Sequence, residues 1–492
     1  MSKRTTTLIS LAAFAAAAAA APAGAGAATF CVADPECVGT AHLTVTSALQ
    51  AAGDEPGPDR VEIGAGTYSA PSGFAYLGVP GNEVEIVGAG ASTVLTAQPA
   101  NAPVSVLRLR RGTVSDLRVV VPDAPGADRA VGLRLQHGAA ERIAVADDGT
   151  TQGDHLGVHL DEGSALRDSS VLLPAEVGDQ LGVVADGGDV VIADSHVLGQ
   201  YAVSGIQASI AVRRSVLEGW HALSAYGGTS TLSDSLLRTG EGAVTVTGVV
   251  NDPATLELAG VTVLGGDVYV SADAGASATA TLRNTAIDGA SPVDVDPGAT
   301  LTAIDSAFHR AGSDGAITYQ AGLDVDPEFA DAEGRLPTVS PLRDAGFLAP
   351  AQGPLDLDGG ARVQGPAVDI GAYELPTLPT VPGGEPAASE PAPPVSGDAP
   401  AGDPALGDVA AEAPADTLAP AITKVRRRGR AVRFVLSEPA TVTVATKRRT
   451  RTVELAAGRQ AVRVRGRRAR IILQAVDAAG NSSAPLKVRG RR

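Results

Sequence analysis

A short phrase recurs nine times between residues 114 and 308, and it constrains the fold more than any other feature of the sequence. It reads LRDSSV at Leu166, LSDSLL at Leu232 and LRNTAI at Leu282, for example. Taking the residue before the small or β-branched position as the anchor gives Asp116, Arg142, Asp168, Asp194, Arg214, Asp234, Gly260, Asn284 and Asp305. Successive anchors are 20 to 26 residues apart. That period fits one coil of a β-solenoid and is too short for a propeller blade of about 40 residues.

A second phrase lies between the anchors, as in HLGVHLD at His155 and QLGVVAD at Gln180. Its alternation predicts strands in which Leu156, Val158 and Leu160 point inward while His155, His159 and Asp161 point to solvent. The 58 glycines and the 3% aromatic share suit tight turns between thin aliphatic strands. We therefore predict an all-β fold, a right-handed parallel β-helix built as a single-stranded solenoid.

The N-terminal residues 1–27 have the pattern of a secretory signal peptide. Lys3 and Arg4 precede an apolar run from Leu8 to Ala21, and Ala25-Gly26-Ala27 fits a cleavage site. The run is shorter than the ~18 residues of a spanning helix, so no transmembrane segment is expected after cleavage. The expected location is extracellular, or loosely associated with the cell surface.

The segment after the predicted cleavage site is expected to cap the solenoid. Cys31 and Cys37 are the only cysteines, and a disulfide between them fits an oxidising exterior better than a redox or metal site. Thr46 is expected to N-cap a short helix, Ser47–Ala52, that Gly53 ends. Such a helix would cover strand edges that otherwise invite aggregation.

Several phrases resemble a known group of proteins. TSALQAAG, DRVEIGAGTYS and VEIVGAGASTVL, followed by the coil phrases, resemble the pectate-lyase-like β-helix superfamily of secreted bacterial proteins. DVDPEFAD, SPLRDAG, PLDLDGGARV and VDIGAYEL resemble the end of surface proteins with a choice-of-anchor Q domain. The resemblance covers residues 29 to 375 and implies a β-helix domain with caps over 28–375. It implies no particular activity, since this fold hosts lyases, hydrolases, adhesins and proteins without known chemistry.

The rest of the chain is predicted to be a disordered Pro/Ala-rich linker, 376–418, and a small β-sandwich, 419–492. AVDAAGNSSAP at Ala475 resembles bacterial immunoglobulin-like modules. The charge is divided sharply: residues 419–492 contain 20 Lys and Arg against three acids, whereas the remainder contains 19 against 52. A basic module on an acidic body predicts either separate roles for the two or an internal electrostatic dock between them.

The basic module is a candidate for binding an anionic cell-envelope polymer or polysaccharide, although a solvated basic face is the alternative. Nucleic acid is not expected, because Phe434 is the only aromatic residue available for stacking on bases. The candidate binding residues are Arg448, Arg449, Arg463, Arg465, Arg467 and Arg468.

A candidate catalytic site follows from the repeat. Aligning Gly132, Gly157 and Gly182 places Gln136, Asp161 and Asp186 in one row, and Arg134, His159 and Val184 in the next. Two acids on neighbouring coils could share a cation beside His159 and Arg134. Alternatively, these acids are ordinary turn residues.

Calcium is the one cofactor that the sequence suggests. Asp324, Asp326, Asp356 and Asp358 form D-x-D pairs that could bind it, or else cap turns that close the last coil.

The leading functional hypothesis is a monomeric secreted protein that binds or presents itself at polysaccharide or cell-wall surfaces without strong catalysis. The first alternative is a lyase or glycoside hydrolase acting on acidic polysaccharide, and the second is an adhesin-like spacer. The catalytic phrases of pectate lyases and polygalacturonases are not found. Trp220, with His221 and Tyr226, is the one aromatic spot in the coils and is interpreted as incidental.

Overall fold

The chain divides into two compact units, Met1–Gly383 and Gly384–Arg492, in a computed structural model. In the first unit the structure describes residues 27–98, 104–123, 129–147, 154–174, 179–289, 292–309 and 315–376. In the second it describes the strands named below and Ser483. The predicted signal peptide and linker therefore lie almost entirely outside the described residues.

The described part of the first unit is built from strands, one helix, α1 (Val45–Asp54), and one 3-10 turn, Gly90–Ser92. The strands are β1 (Thr29–Val32), β2 (Thr40–His42), β3 (Asp59–Ile63), β4 (Gly66–Ala70), β5 (Phe74–Leu77), β6 (Val84–Gly88), β7 (Thr93–Ala97), β8 (Val104–Val121), β9 (Ala130–Asp147), β10 (His155–Asp161), β11 (Ser164–Arg167), β12 (Ser170–Leu172), β13 (Gln180–Ala193), β14 (His196–Arg213), β15 (Val216–Tyr226), β16 (Gly228–Gly248), β17 (Ala254–Leu264), β18 (Val268–Ala272), β19 (Ala278–Arg283), β20 (Ala286–Asp288), β21 (Val293–Val295), β22 (Ala299–Ile304) and β23 (Ala316–Gln320).

These strands pair in parallel from coil to coil and form the three faces of a β-helix, which confirms the predicted solenoid. The first face runs through β5, β8, β9, β10, β13, β14, β15, β16, β18 and β21. The second runs from β1 through β3 and β6 to β22 and β23, and the third from β4 and β7 to β20. Long strands such as β8 turn two corners and contribute to all three faces.

The nine anchors mark the corner between the second and third faces. Each has a positive φ, between 42° and 66°, although only Gly260 is a glycine. The left-handed conformation favours Asp, Asn and Gly, which explains why these residue types recur there. The register confirms the predicted period, since Ala144 pairs with Ser170 and Ser170 with His196.

The residue after the anchor forms a second ladder inside the corner. The Oγ atoms of Ser195, Ser215 and Ser235 accept the backbone N–H of Ser169, Ser195 and Ser215 at 3.2–3.3 Å. Each hydroxyl also donates to the carbonyl two residues earlier, at 2.7–2.8 Å. Because both functions of the hydroxyl are satisfied, serine can be buried at this corner without an unpaired polar atom.

The interior is one continuous aliphatic cluster that extends from Phe30 to Phe308. Val158 and Leu160 point into it, as predicted, but His155 is fully buried rather than exposed. The prediction for His155 was wrong because the alternation is interrupted before Val158. A Cβ on Gly157 would lie 2.4 Å from Cγ1 of Val171, so two successive residues face the interior.

The N-terminal segment contains the predicted disulfide and a helix. Cys31 and Cys37 are bonded to each other. The helix is longer than expected: it begins at Val45 and ends at Asp54, and Thr44 rather than Thr46 is its N-cap, accepting the N–H of Ser47 at 3.1 Å. None of the helices in the described part of the chain is long and apolar enough to cross a membrane.

Residues 321–376, here called the closing segment, contain none of the named strands and pack along the anchor corner. The N–H of Gly353 donates to Asp234 Oδ2 at 2.9 Å, and Asn284 exchanges two hydrogen bonds with the backbone of Phe347. Arg362 is fully buried and lies 3.4 Å from both Asp234 and Glu374. The contacts to Asp234 and Asn284 join residues more than 60 positions apart in the chain.

Gly260 is the anchor over which the closing segment packs most tightly. A Cβ there would lie 2.2 Å from Gln352 Nε2 and 2.8 Å from Arg362 Nη2. We expect Gly260→Ala to lower the free energy of unfolding by about 2–4 kcal/mol, since it combines backbone strain with this clash. The measurement is the urea midpoint, followed by far-UV circular dichroism.

Gly275→Ala is the matched control. Gly275 also has a positive φ, of 86°, but a Cβ there would meet nothing within 4 Å. We expect this change to lower the free energy of unfolding only through backbone strain, by about 1 kcal/mol. Equal losses in the two variants would contradict close packing of the closing segment at Gly260.

The carboxylates of Asp234 and Glu374 both lie beside the buried guanidinium of Arg362, and its one positive charge cannot balance two negative charges. Burial raises the pKa of Glu374 to about 8, against the opposing effect of Arg362, and raises that of Asp234 to about 6. In the unfolded chain Glu374 ionises at its ordinary pKa, whereas in the folded chain it keeps its proton to a higher pH. Between these two pKa values the folded state therefore binds more protons than the unfolded state. Stability should therefore fall as pH rises from about 5 to about 8 and change little above that.

The measurement is the urea midpoint of the native chain and of Glu374→Gln across this pH range. The amide cannot ionise, so the variant should lose part of the decline. A decline of the same size in both proteins would show that Glu374 does not cause it.

The second unit contains two antiparallel sheets. One consists of β24 (Ile422–Arg428), β25 (Ala431–Leu436) and β28 (Gly458–Arg463), and the other of β26 (Ala440–Thr446), β27 (Arg449–Leu455), β29 (Ile471–Val476) and β30 (Leu486–Val488). Val432, Val442, Leu473 and Ala475 are buried. The described residues of this unit are all in strands apart from Ser483, and the immunoglobulin-like assignment stays a prediction.

Candidate functional site

The candidate site lies on the outer surface of the first face. In the structure His159 pairs with Arg134 and Val184, while Asp161 pairs with Asp186. The alignment of the three glycines therefore gave the correct register. We call Arg108, Arg134, His159 and Val184 the histidine row, and Arg110, Gln136, Asp161, Asp186, Ile206 and Tyr226 the aspartate row.

Four side chains of the two rows are brought together, as predicted. Arg134 Nε donates to Asp161 Oδ2 at 3.1 Å, and Arg134 Nη2 lies 3.1 Å from the same oxygen in an ion pair. His159 Nε2 lies 3.2 Å from the other oxygen of Asp161 and 3.9 Å from Asp186 Oδ2. Asp161 is thus the centre of the cluster, with Arg134 on one side and His159 on the other.

The two aspartates differ in their surroundings. The side chain of Asp161 is 14% exposed, whereas that of Asp186 is 56% exposed. Among the described residues, neither carboxylate accepts a hydrogen bond from a backbone N–H, which is what a turn-capping aspartate would do. The side chains thus face one another and the solvent, and a ligand can reach them.

His159 is the titratable centre of the cluster. Burial lowers its pKa from the ordinary value, an effect that Asp161 opposes and Arg134 reinforces. A lowered pKa keeps the imidazole neutral at neutral pH, which is the form that binds metals and accepts protons.

Substituting Asp161 should lower the pKa of His159 further. In Asp161→Asn the carboxylate that favours the imidazolium is lost, while burial and Arg134 remain. The measurement is a pH titration of the imidazole Cε1–H signal by NMR in both proteins. A native pKa at or above that of an exposed histidine, or an upward shift in the variant, would contradict this electrostatic arrangement.

The cluster has the composition of a cation site. In the described part of the chain, His159, Asp161 and Asp186 are the one group of three or more metal-ligating side chains whose ligand atoms lie within 4.8 Å of one another. Carboxylate oxygens suit hard cations such as calcium, and the imidazole suits transition metals. The donor set therefore fits a divalent cation.

The four terminal acids proposed for calcium are not brought together in this way. Asp356 accepts the N–H of Gly360 and of Glu374 at 2.6 and 3.0 Å, and Asp326 accepts the N–H of Glu328 at 3.1 Å. Asp358 pairs with Arg335, and Asp324 lies 3.8 Å from His309. Asp356 and Asp326 thus stabilise turns, and a calcium role for the four stays a prediction.

The arginines proposed for anionic polymer lie in the second unit. Arg448, Arg465, Arg467 and Arg468 fall outside the described residues. Arg449 is the first residue of β27 and Arg463 is the last residue of β28, and only their backbone is described. Polymer binding by this module stays a prediction.

A second cleft, of about 690 Å³, follows the anchor corner. Most of its charged side chains are already satisfied by one another. Arg142 holds Asp116 and Arg214 holds Asp194, each through two hydrogen bonds of 2.6–2.8 Å. Because these charges are paired, the cleft is a weaker candidate than the cluster on the first face.

Two arginines of the rows were missed in the sequence. Arg108 and Arg110 lie in the coil before Arg134 and Gln136 and pair with them. Neither forms an ion pair within the described part of the chain. The spacing of 26 residues between the anchors Asp116 and Arg142 would have found them, since 108 and 110 precede 134 and 136 by the same number.

Comparison with known proteins gives fold likeness only. The chain matches no described protein family and no curated protein sequence. Among solved structures, a pectate lyase, Pel9A, has 13% identity and a TM-score of 0.45 over 71% of this chain and 97% of that one. An alginate lyase from Paenibacillus sp. str. FPU-7 has 14% identity and a TM-score of 0.36 over 60% and 99%. Tailspike protein 2 of bacteriophage CBA120, compared as its enzymatically active domain, has 9% identity and a TM-score of 0.40 over 91% and 68%. Likeness at this level does not bear on activity.

Proposed function

We propose that this protein is secreted and binds acidic polysaccharide on the first face of its solenoid. The observation that carries the proposal is the meeting of Asp161, Asp186 and His159 on neighbouring coils beside Arg134. Such a cluster combines a cation-binding centre with guanidinium groups, and both recognise carboxylates.

The recognition would proceed in two ways. A calcium ion held by Asp161 and Asp186 would bridge these side chains to a uronate carboxylate of the polymer. Arg108 and Arg110, which form no ion pair among the described residues, would contact a further carboxylate of the polymer two coils before Asp161. The rows run along the solenoid axis, so a linear polymer can follow them.

The basic second unit supports a location at the cell envelope. Its excess of Lys and Arg would hold the protein on anionic wall polymer through charge attraction. Since attraction between exposed charges is screened by salt, retention on isolated cell walls should decrease as salt rises.

A second candidate function is cleavage of the bound polymer by β-elimination. It is favoured by the position of His159 and Arg134, both in contact with the carboxylate that would hold the cation. His159, which its lowered pKa keeps neutral, would take the proton from C5 of a uronate, while the guanidinium of Arg134 stays protonated beside the carboxylate. The electron pair of the C5–H bond would form the C4=C5 double bond, the C4–O bond would break, and the glycosidic oxygen would leave and take a proton from water.

The test is binding of polygalacturonate, alginate and neutral glucan by the chain without residues 1–27, with calcium and with a chelator. We expect the acidic polymers to bind, and the double variant Asp161→Asn, Asp186→Asn to lose at least about tenfold in affinity. Asp273→Asn removes an exposed acid elsewhere and serves as the control.

The same samples separate the two candidate functions. Shortening of a polymer, with ultraviolet absorbance from a new C4=C5 bond, would establish the lyase, and unchanged length would leave binding alone. If no acidic polymer binds, or if the double variant binds as the native chain does, the proposal is wrong.

A further inference from the structure

The aspartate row continues beyond the acidic cluster onto two exposed apolar side chains. Asp186 pairs with Ile206, and Ile206 pairs with Tyr226 in the next coil. Ile206 is 47% exposed and Tyr226 is 48% exposed. We call this pair the platform. It begins one coil after Asp186 and lies on the same outer surface as the carboxylates.

The position of the platform is unusual for this chain. Aromatic residues make up only 3% of the sequence, and most of the large apolar side chains in the coils are buried. A single exposed apolar residue needs no explanation, but two that adjoin each other and a charged cluster form a continuous surface. The hydroxyl of Tyr226 forms no hydrogen bond among the described residues, so the whole outer side of the ring is available to a ligand.

The surroundings of the platform are polar and small. Ser204 and Ser224 pair with each other beside Ile206 and Tyr226, and Thr245 follows in the next coil. Beyond Tyr226, the last residue of the aspartate row, Thr247 and Ser271 follow, and their hydroxyls are hydrogen-bonded to each other at 2.9 Å. Ser224 and Ser271 are buried, whereas Ser204 and Thr245 are partly exposed and can offer hydrogen bonds to a ligand. These short side chains leave room above the strands for a ligand beside the two large apolar groups.

This combination fits the face of a sugar ring. A pyranose presents C–H groups on its face and hydroxyls around its edge, so an aromatic ring with hydroxyl side chains beside it matches both. Asp161 and Tyr226 are three coils apart, which is about 14 Å at the spacing of neighbouring strands. A linear polymer advances by close to one coil with each sugar residue, so it must be about four residues long to reach both.

We propose that Ile206 and Tyr226 form a stacking subsite for a sugar ring of the same polymer that the acidic cluster binds. This inference rests on the proposed function and adds a requirement for length. The cluster recognises the charge of the polymer, and the platform recognises the ring, whatever its charge. An oligomer too short to span three coils gains nothing from Tyr226.

The test uses oligomers of two, four and six residues from polygalacturonate and from alginate, with calcium present, and measures affinity by calorimetry. In Tyr226→Ala we expect the six-residue oligomer to bind about 3- to 10-fold more weakly, the range for the loss of one aromatic contact. The two-residue oligomer should bind both proteins equally. Tyr226→Phe keeps the ring and should bind as the native chain does.

Val250→Ala is the control, because Val250 is also an exposed apolar residue, at 56%, but lies outside the two rows. The platform is refuted if Tyr226→Ala binds the six-residue oligomer normally, or if it weakens all lengths equally, as a general structural defect would. If the double variant Asp161→Asn, Asp186→Asn loses affinity for oligomers of every length while either of these results holds, the proposed function stands and only the platform is wrong. If the native chain binds no oligomer, both inferences fall.

Discussion

The parallel backbone hydrogen bonding from coil to coil is the interaction on which the rest of the structure depends. It fixes which residue stands above which, so that every side chain has a defined neighbour about 4.8 Å away. The serine ladder and the carboxylate cluster are consequences of this register. A shift of one residue in a single coil would turn the outward rows inward and separate Asp161 from Asp186.

Much of the architecture could be predicted because the backbone conformation at the repeated corner favours a few residue types, and these types recur in the sequence. The anchor corner needs a left-handed conformation, and all nine anchors have a positive φ; five are Asp, two are Arg, one is Asn and one is Gly. The register of the candidate site followed from Gly157 and its equivalents. These glycines recur because the opposite face approaches them closely, as Val171 does.

What could not be predicted has two physical causes. His155 was misplaced because two successive residues face inward at Gly157 and Val158, and a simple alternation does not contain that interruption. The closing segment was recognised as an end of the solenoid, but its contacts were not, because Asp234 meets Gly353 across 119 positions. Tyr226 was interpreted as incidental for the same reason, since its exposure and its adjacency to Ile206 are properties of the folded rows.

The placement of the closing segment has a consequence for how such a protein can change in length. Its hydrogen bonds to the coils fall on Asp234, Arg238, Thr262, Asn284, Ser306 and Phe308, all in the later half of the solenoid. A whole coil gained or lost before Asp234 would leave every one of these bonds intact, whereas one inserted between Asp234 and Asn284 would pull them apart. The earlier half is therefore free to lengthen or shorten by whole coils, and with it the surface offered to a linear ligand.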